Sequence, residues 1–135
     1  EKDGLIGVVH SGWQGTVKEI TRKLLEHLKQ QDQIDLTALK IIIGPALSQQ
    51  NFQVDQDVHN QFVALGYAEP FMYFKEETGK YHIDNQQTVK TQCILSGVPE
   101  ANITIDPMCT YESEECFSYR QDRGTGRHLT FIMQK

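Results

Sequence analysis

Three cysteines, Cys93, Cys109 and Cys116, are all the thiol this chain of 135 residues carries. They are odd in number and unevenly spaced. That pattern excludes a disulfide framework as the basis of stability and makes a reducing cytoplasm the expected location. Long apolar runs are also missing. No stretch approaches the roughly 20 residues that cross a bilayer as a helix. Glu1-Lys2-Asp3-Gly4 leads straight into an apolar run, so no signal peptide is expected. Basic charge is in deficit, with 13 Lys and Arg against 18 Asp and Glu and a net charge of −5. Broad, sequence-independent nucleic-acid binding needs a positive face to displace counterions, and this balance excludes it. The one local concentration of guanidinium groups is Arg120, Arg123 and Arg127, which could line a small basic pocket. The length predicts one domain, 1–135, large enough to bury a core.

The densest information lies in Val8-Val9-His10-Ser11-Gly12-Trp13-Gln14-Gly15-Thr16. A β-branched run ends in a histidine, and two glycines then permit a tight turn. This spacing predicts an imidazole at the carboxyl end of a strand, where open α/β sheets bind ligands. The helix start that follows would offer bare N–H groups to an anion. A strand over 5–9 opening so abruptly predicts a portion of a larger domain, paired with residues outside this sequence.

Further elements follow from periodicity. Thr16 with Glu19 matches a capping box. Val17, Ile20, Leu24, Leu25 and Leu28 recur at helical spacing, which predicts one helix to about Gln30. Lys40-Ile41-Ile42-Ile43 reads as a buried strand stopped by Gly44-Pro45. A second helix is expected over Val54–Leu65, with Asp55 as N-cap and Val58, Phe62 and Leu65 inward. Phe71–Phe74 and Lys80–Ile83 flank Glu76-Glu77-Thr78-Gly79 as a hairpin. Asp84 with Gln87 caps a third helix, with Val89, Cys93 and Leu95 inward and Gly97 at its end. Asn102–Ile105 and Leu129–Met133 are further strands. The alternation predicts an α/β fold, a mixed sheet with helices packed on it.

Among residues that could carry chemistry, His10 leads, because Gly12 and Gly15 let a substrate approach the backbone. Trp13 reads as a cover over the helix start. The other thiols and imidazoles, including His27, His59, His82 and His128, form no metal-binding spacing with it. His27 and His59 fall on amphipathic helices and read as surface residues. Gly44-Pro45-Ala46-Leu47 follows its strand as Gly12 follows the first, either as a second rim turn or as an ordinary strand end. The long segment from Cys109 to Arg127 is irregular and aromatic, a pattern typical of functional loops. Arg120 and Arg127 could fork onto phosphate or carboxylate, or pair with Asp122, Glu114 or Glu115. Cys109 and Cys116 read as buried structural thiols.

Three segments together resemble one family. His10-Ser11-Gly12-Trp13-Gln14-Gly15 resembles the His-Ala-Gly-Trp-Arg-Gly signature of the YfiH-type proteins. These are known both as laccase-like multicopper polyphenol oxidases and as purine nucleoside phosphorylases. Ile43-Gly44-Pro45-Ala46 with Phe52-Gln53-Val54 resembles that family's Gly-Pro-(Ala/Cys)-Ile…Phe-Glu-Val segment. Cys109-Thr110-Tyr111…Phe117-Ser118-Tyr119-Arg120-Gln121-Asp122…Thr125-Gly126-Arg127 resembles its closing pattern. The resemblance implies a zinc site of two histidines and one cysteine, with His10 as its last ligand and the other two upstream of this sequence. The chain would then be the C-terminal portion of the domain.

The implied activity is zinc-dependent phosphorolysis of adenosine, inosine or methylthioadenosine, with phosphate as co-substrate and deamination of adenosine as a companion reaction. Gly12, Gly15, Ser118 and Arg120 would be near substrate, and His10 would be the catalytic metal ligand. Gln14 stands where the family often has arginine, and a neutral amide cannot replace a bidentate guanidinium. The alternatives are copper-dependent phenol oxidation, editing of peptidoglycan precursors, or a catalytically incomplete fragment. A multicopper site needs many histidines, and the five here are scattered. A fragment would associate with itself through an exposed sheet edge.

Overall fold

The structure, a computed structural model, describes residues 5–133. Two small hydrophobic cores organise it. In the first, Leu25, Leu36, Val89, Cys93, Val98 and Ile103 are buried together. In the second, Phe52, Val54, Phe62, Ala68 and Ile83 are buried. A ring as fully enclosed as that of Phe62 stabilises the fold by about 1.5–3 kcal/mol.

Helix α1 (Trp13–Val17) is followed at once by α2 (Ile20–Gln30). The single helix expected from Thr16 onward is therefore broken, and the capping box does not form. Glu19 takes φ 56°, in the left-handed region. Thr16 lies inside α1 with its hydroxyl donating back to Gly12 O at 3.2 Å. The cause is tertiary. Trp13 and Val17 of α1 pack on the second core, whereas Leu25 and Leu28 of α2 pack on the first. One straight helix cannot serve both.

Strand β1 (Ile41–Ile43) pairs in parallel with β5 (Ile103–Ile105), Ile41 against Ile103 and Ile43 against Ile105. Between them run β2 (Gln53–Val54), α3 (Gln56–Val63), β3 (Met72–Lys75), β4 (Lys80–Ile83) and α4 (Asn85–Ser96). The β3–β4 hairpin forms with Phe74 opposite Tyr81, and β2 adds antiparallel to the other edge of β4. Parallel and antiparallel pairing are thus both present, in separate sheets ordered β1-β5 and β2-β4-β3. Helix α4 carries the expected cap: Gln87 N donates to the Asp84 carboxylate at 2.9 Å. The Asp55 carboxylate does not cap α3 but pairs with Lys80.

Four expectations are corrected. Residues 5–9 form no strand, and Leu5, Ile6, Val8 and Val9 are exposed. Residues 129–133 form none either, and Leu129 and Met133 are almost fully exposed. Apolar β-branched sequence is insufficient without a neighbour to satisfy its backbone, and among the described residues neither segment has one. Ile42 in β1 is 79 % exposed, because a sheet of two strands is covered on one face only. Leu95 points outward at 53 % exposure, while Val89 and Cys93 are buried as expected.

Candidate functional site

The turn at His10 is built by close contact rather than by a strand end. A Cβ on Gly12 would lie 3.0 Å from His10 Nε2. The imidazole therefore lies directly over the Gly12 backbone, and any side chain there would push it away. A Cβ on Gly15 would meet Ile20 Cγ2 at 3.2 Å and His10 O at 3.6 Å. The structure thus brings His10, Gly12 and Gly15 together, with His10 exposed to solvent. Trp13 is half-buried against the second core, the covering role its position predicts. The anion-binding expectation weakens, since α1 has only five residues. So few aligned peptides sum to little macrodipole.

Two side chains that sequence reasoning missed tie this turn to the rest of the rim. Asn85 and Gln86 open α4 directly after its capping aspartate. Asn85 Nδ2 donates to Ser11 O at 3.2 Å. Gln86 Nε2 donates to Gly44 O at 2.7 Å and Asp106 O at 2.9 Å. The amino end of α4 thereby holds the His10 turn and the carboxyl ends of β1 and β5 in one place. The available signal was their position just after a predicted N-cap, where polar side chains reach neighbouring loops. Gly44-Pro45-Ala46 does join this rim, and Ala46 bridges to Cys109.

Below the turn runs a buried polar chain. Gln92, fully enclosed, donates from Nε2 to Thr16 O at 2.8 Å and to the Tyr67 hydroxyl at 2.9 Å. Tyr67 in turn donates to Glu19 at 3.0 Å. Burial is the main cause pushing the Tyr67 phenol up to about 12.

The C-terminal loop packs on β2. Arg120 Nη1 donates to Asn51 O at 3.1 Å and Gln53 O at 2.8 Å, and the guanidinium lies 5.6 Å from the Phe52 ring. Arg127 donates to Thr125 O and Gly126 O. Neither forms the ion pair with Asp122, Glu114 or Glu115 that their spacing allowed; carbonyl oxygens take their place. Ser118 is buried, and its carbonyl closes the turn to Gln121 and Asp122. Among the described residues no hydrogen bond joins Ser118 or Arg120 to the His10 turn.

Cys109 is buried and accepts from Ser48 N at 3.3 Å and Asn51 Nδ2 at 3.5 Å. Burial pushes its thiol up, but hydrogen bonds from Ser48, Glu112 and Tyr111 outweigh that and hold it below the ordinary value. Burial pushes the Cys93 thiol up to about 11. Cys116 is only half-buried, short of the burial expected for it. His59 is half-buried rather than free on the surface and stacks on Tyr81. His82 is also buried, its Nδ1 donating to Gln49 O at 3.1 Å.

A family model described as multi-copper polyphenol oxidoreductase laccase matches residues 1–135. The chain belongs to this family. Curated relatives within reach of the laccase-like sequence carry another name. A purine nucleoside phosphorylase of Bacteroides thetaiotaomicron is 35 % identical over 98 % of this chain and 50 % of its own length. A Staphylococcus epidermidis purine nucleoside phosphorylase is 34 % identical over 100 % of this chain and 50 % of its own. This family member thus spans about half the length of the curated relatives it matches.

Two solved structures share the fold. The Bacillus licheniformis hypothetical protein YfiH aligns with TM-score 0.80 at 24 % identity, covering 86 % of this chain and 44 % of its own. YlmD from Geobacillus stearothermophilus aligns with TM-score 0.73 at 27 % identity, covering 87 % and 44 %. The family resemblance of the three motifs is therefore shown, as is the mixed α/β fold. No helix among the described residues is long and apolar enough to cross a membrane.

Proposed function

We propose that this chain forms one portion of a purine nucleoside phosphorylase, with the His10 turn facing the nucleoside. The observation that carries the reading is the match of its whole length to proteins of that name at 34–35 % identity. In phosphorolysis, phosphate oxygen bonds to the ribose anomeric carbon, the glycosidic C–N bond breaks, and the purine takes its electron pair. An exposed imidazole over a bare glycine backbone suits that chemistry. His10 can hand a proton to the departing purine nitrogen, and the absence of a side chain at Gly12 is what seats the imidazole in its place. Arg120 has one terminal nitrogen committed to carbonyls, which fixes the guanidinium while other N–H groups remain to meet phosphate.

The donor set of the described residues does not fit zinc. A catalytic zinc takes three protein ligands, and among the described residues no three of His, Cys, Asp and Glu gather to hold a metal. We therefore assign no step to a metal.

The test is release of free purine from inosine and adenosine, with and without phosphate. The proposal expects phosphate-dependent release that falls at least about 100-fold in His10→Ala. Equal release in phosphate-free buffer, or full activity of His10→Ala, would overturn it. A copper-dependent phenol oxidation, as the family description words it, would instead appear with a phenol and copper and vanish in the same variant.

A further inference from the structure

The loop that follows β5 turns back on itself and brings two sulfurs together. Met108 is fixed at its start. Its N–H donates to the Asp106 carboxylate at 3.0 Å, and its carbonyl accepts from Ala46 N at 3.4 Å. Two successive turns then reverse the chain, Ser113 N donating to Cys109 O at 3.0 Å and Cys116 N to Ser113 O at 3.2 Å. Cys116 thereby returns to Met108, and its thiol donates to the Met108 sulfur at 3.5 Å. Both side chains reach solvent, Cys116 half-buried and Met108 more exposed.

A third donor stands beside the pair. Phe117, the next residue, is seated against Gly126, where a Cβ would lie 3.1 Å from its ring. His128 follows two residues later, with its ring 5.5 Å from that of Phe117. Phe117 N lies 3.0 Å from His128 Nε2. A backbone N–H can only donate, so Nε2 carries the ring's lone pair and faces the backbone one residue from the thiol. None of these three side chains belongs to the His10 turn, or to the ligand set that the family resemblance implies.

The donor types select the occupant. A hard divalent ion takes several oxygen ligands, and zinc takes Cys, His or carboxylate. Among the described residues no three of His, Cys, Asp and Glu gather to serve either. Thioether sulfur is a ligand for soft ions, and thiolate and imidazole both suit copper.

We propose that Met108, Cys116 and His128 form a site for a soft monovalent metal ion, Cu(I) among those of biology. The ion takes the place of the thiol proton between the two sulfurs, and that proton passes to solvent. His128 Nε2 leaves the Phe117 N–H and completes a three-coordinate set. Binding transfers no electron.

The test uses the intact chain, isotope-labelled at the methionine methyl carbons and the histidine ring nitrogens. It is titrated with silver nitrate in chloride-free buffer, Ag(I) being a redox-inert probe of the same class. Saturation at one ion per chain is expected. Met108 alone among the three methionines should show a moving methyl resonance, together with His128 Nε2. Affinity is then read by anaerobic competition for Cu(I) with a chromogenic chelator. Even an outer-shell partner is worth about 10–100-fold in metal affinity, so Met108→Leu should weaken Cu(I) binding at least about tenfold. Cys116→Ser should abolish it. Both side chains reach solvent, so the amide spectrum away from the loop should stay unchanged in each variant. A Met108 methyl or His128 Nε2 resonance that Ag(I) leaves in place overturns the proposal, since the thiol alone would then hold the ion. So does full Cu(I) affinity in Met108→Leu, a retained site in Cys116→Ser, or binding of Zn(II) as tight as that of Cu(I).

Discussion

At Gly12 and Gly126 the backbone accepts an aromatic ring where any other residue would have a side chain. A Cβ on Gly126 would lie 3.1 Å from two Phe117 ring carbons, so this glycine seats Phe117 as Gly12 seats His10. Both glycines stand out in the sequence, but which ring each one receives is a matter of three-dimensional proximity. The three thiols separate on the same basis. Cys93 sits in the first core with its proton held to about 11, chiefly by burial. At about pH 9, near the ordinary thiol value, an alkylating reagent should modify Cys116 quickly and leave Cys93 untouched until denaturant is added. Mass spectrometry of the labelled peptides checks this, and rapid native labelling of Cys93 would contradict its placement. The linked pH effect has a definite sign. The unfolded chain loses the Cys93 proton first, so stability falls as pH rises from the ordinary value toward about 11.

At the scale of elements, the hairpin, α4 with its Asp84 cap, and the glycine that ends it were readable because each signal is local. The break between α1 and α2 was not readable. Glu19 carries no sequence mark of a left-handed residue, yet its carboxylate accepts from Arg22 at 3.1 Å and from Tyr67 at 3.0 Å. Those bonds offset a backbone cost of about 1–2 kcal/mol for a non-glycine residue there. The two contributions can be separated. Glu19→Ala keeps the strain and loses the bonds, and should destabilise by about 1–2 kcal/mol. Glu19→Gly loses the same bonds but removes the strain, so it should be the more stable of the two variants by about 1 kcal/mol. Urea unfolding of both decides it; the reverse order would show that the left-handed turn is not strained.

For the whole molecule, the decisive feature is how α4 gathers chain segments far apart in sequence. Gln86 alone joins residues 42 and 20 positions away. Gln86→Ala should cost about 1–2 kcal/mol, the loss of two backbone acceptors' partner. It should also speed amide exchange at Ala46 and Thr110, whose N–H groups donate to Met108 O and Ala46 O in the adjoining rim. Unchanged exchange there would mean that the rim holds without α4. The segments at 5–9 and 129–133 show the opposite case: apolar sequence with no partner strand among the described residues stays exposed, whatever its propensity.

Sequence alone settled the family, the α/β class, the hairpin and the capped α4, because contiguous motifs and short-range hydrogen bonds carry that information. Tertiary structure alone decided the rest: the helix break that serves two cores, the division into two sheets, the Asn85–Gln86 clamp, and the stacking of His59 on Tyr81. Each of those arises where residues distant in the chain compete for the same space, and no local pattern encodes the outcome of that competition.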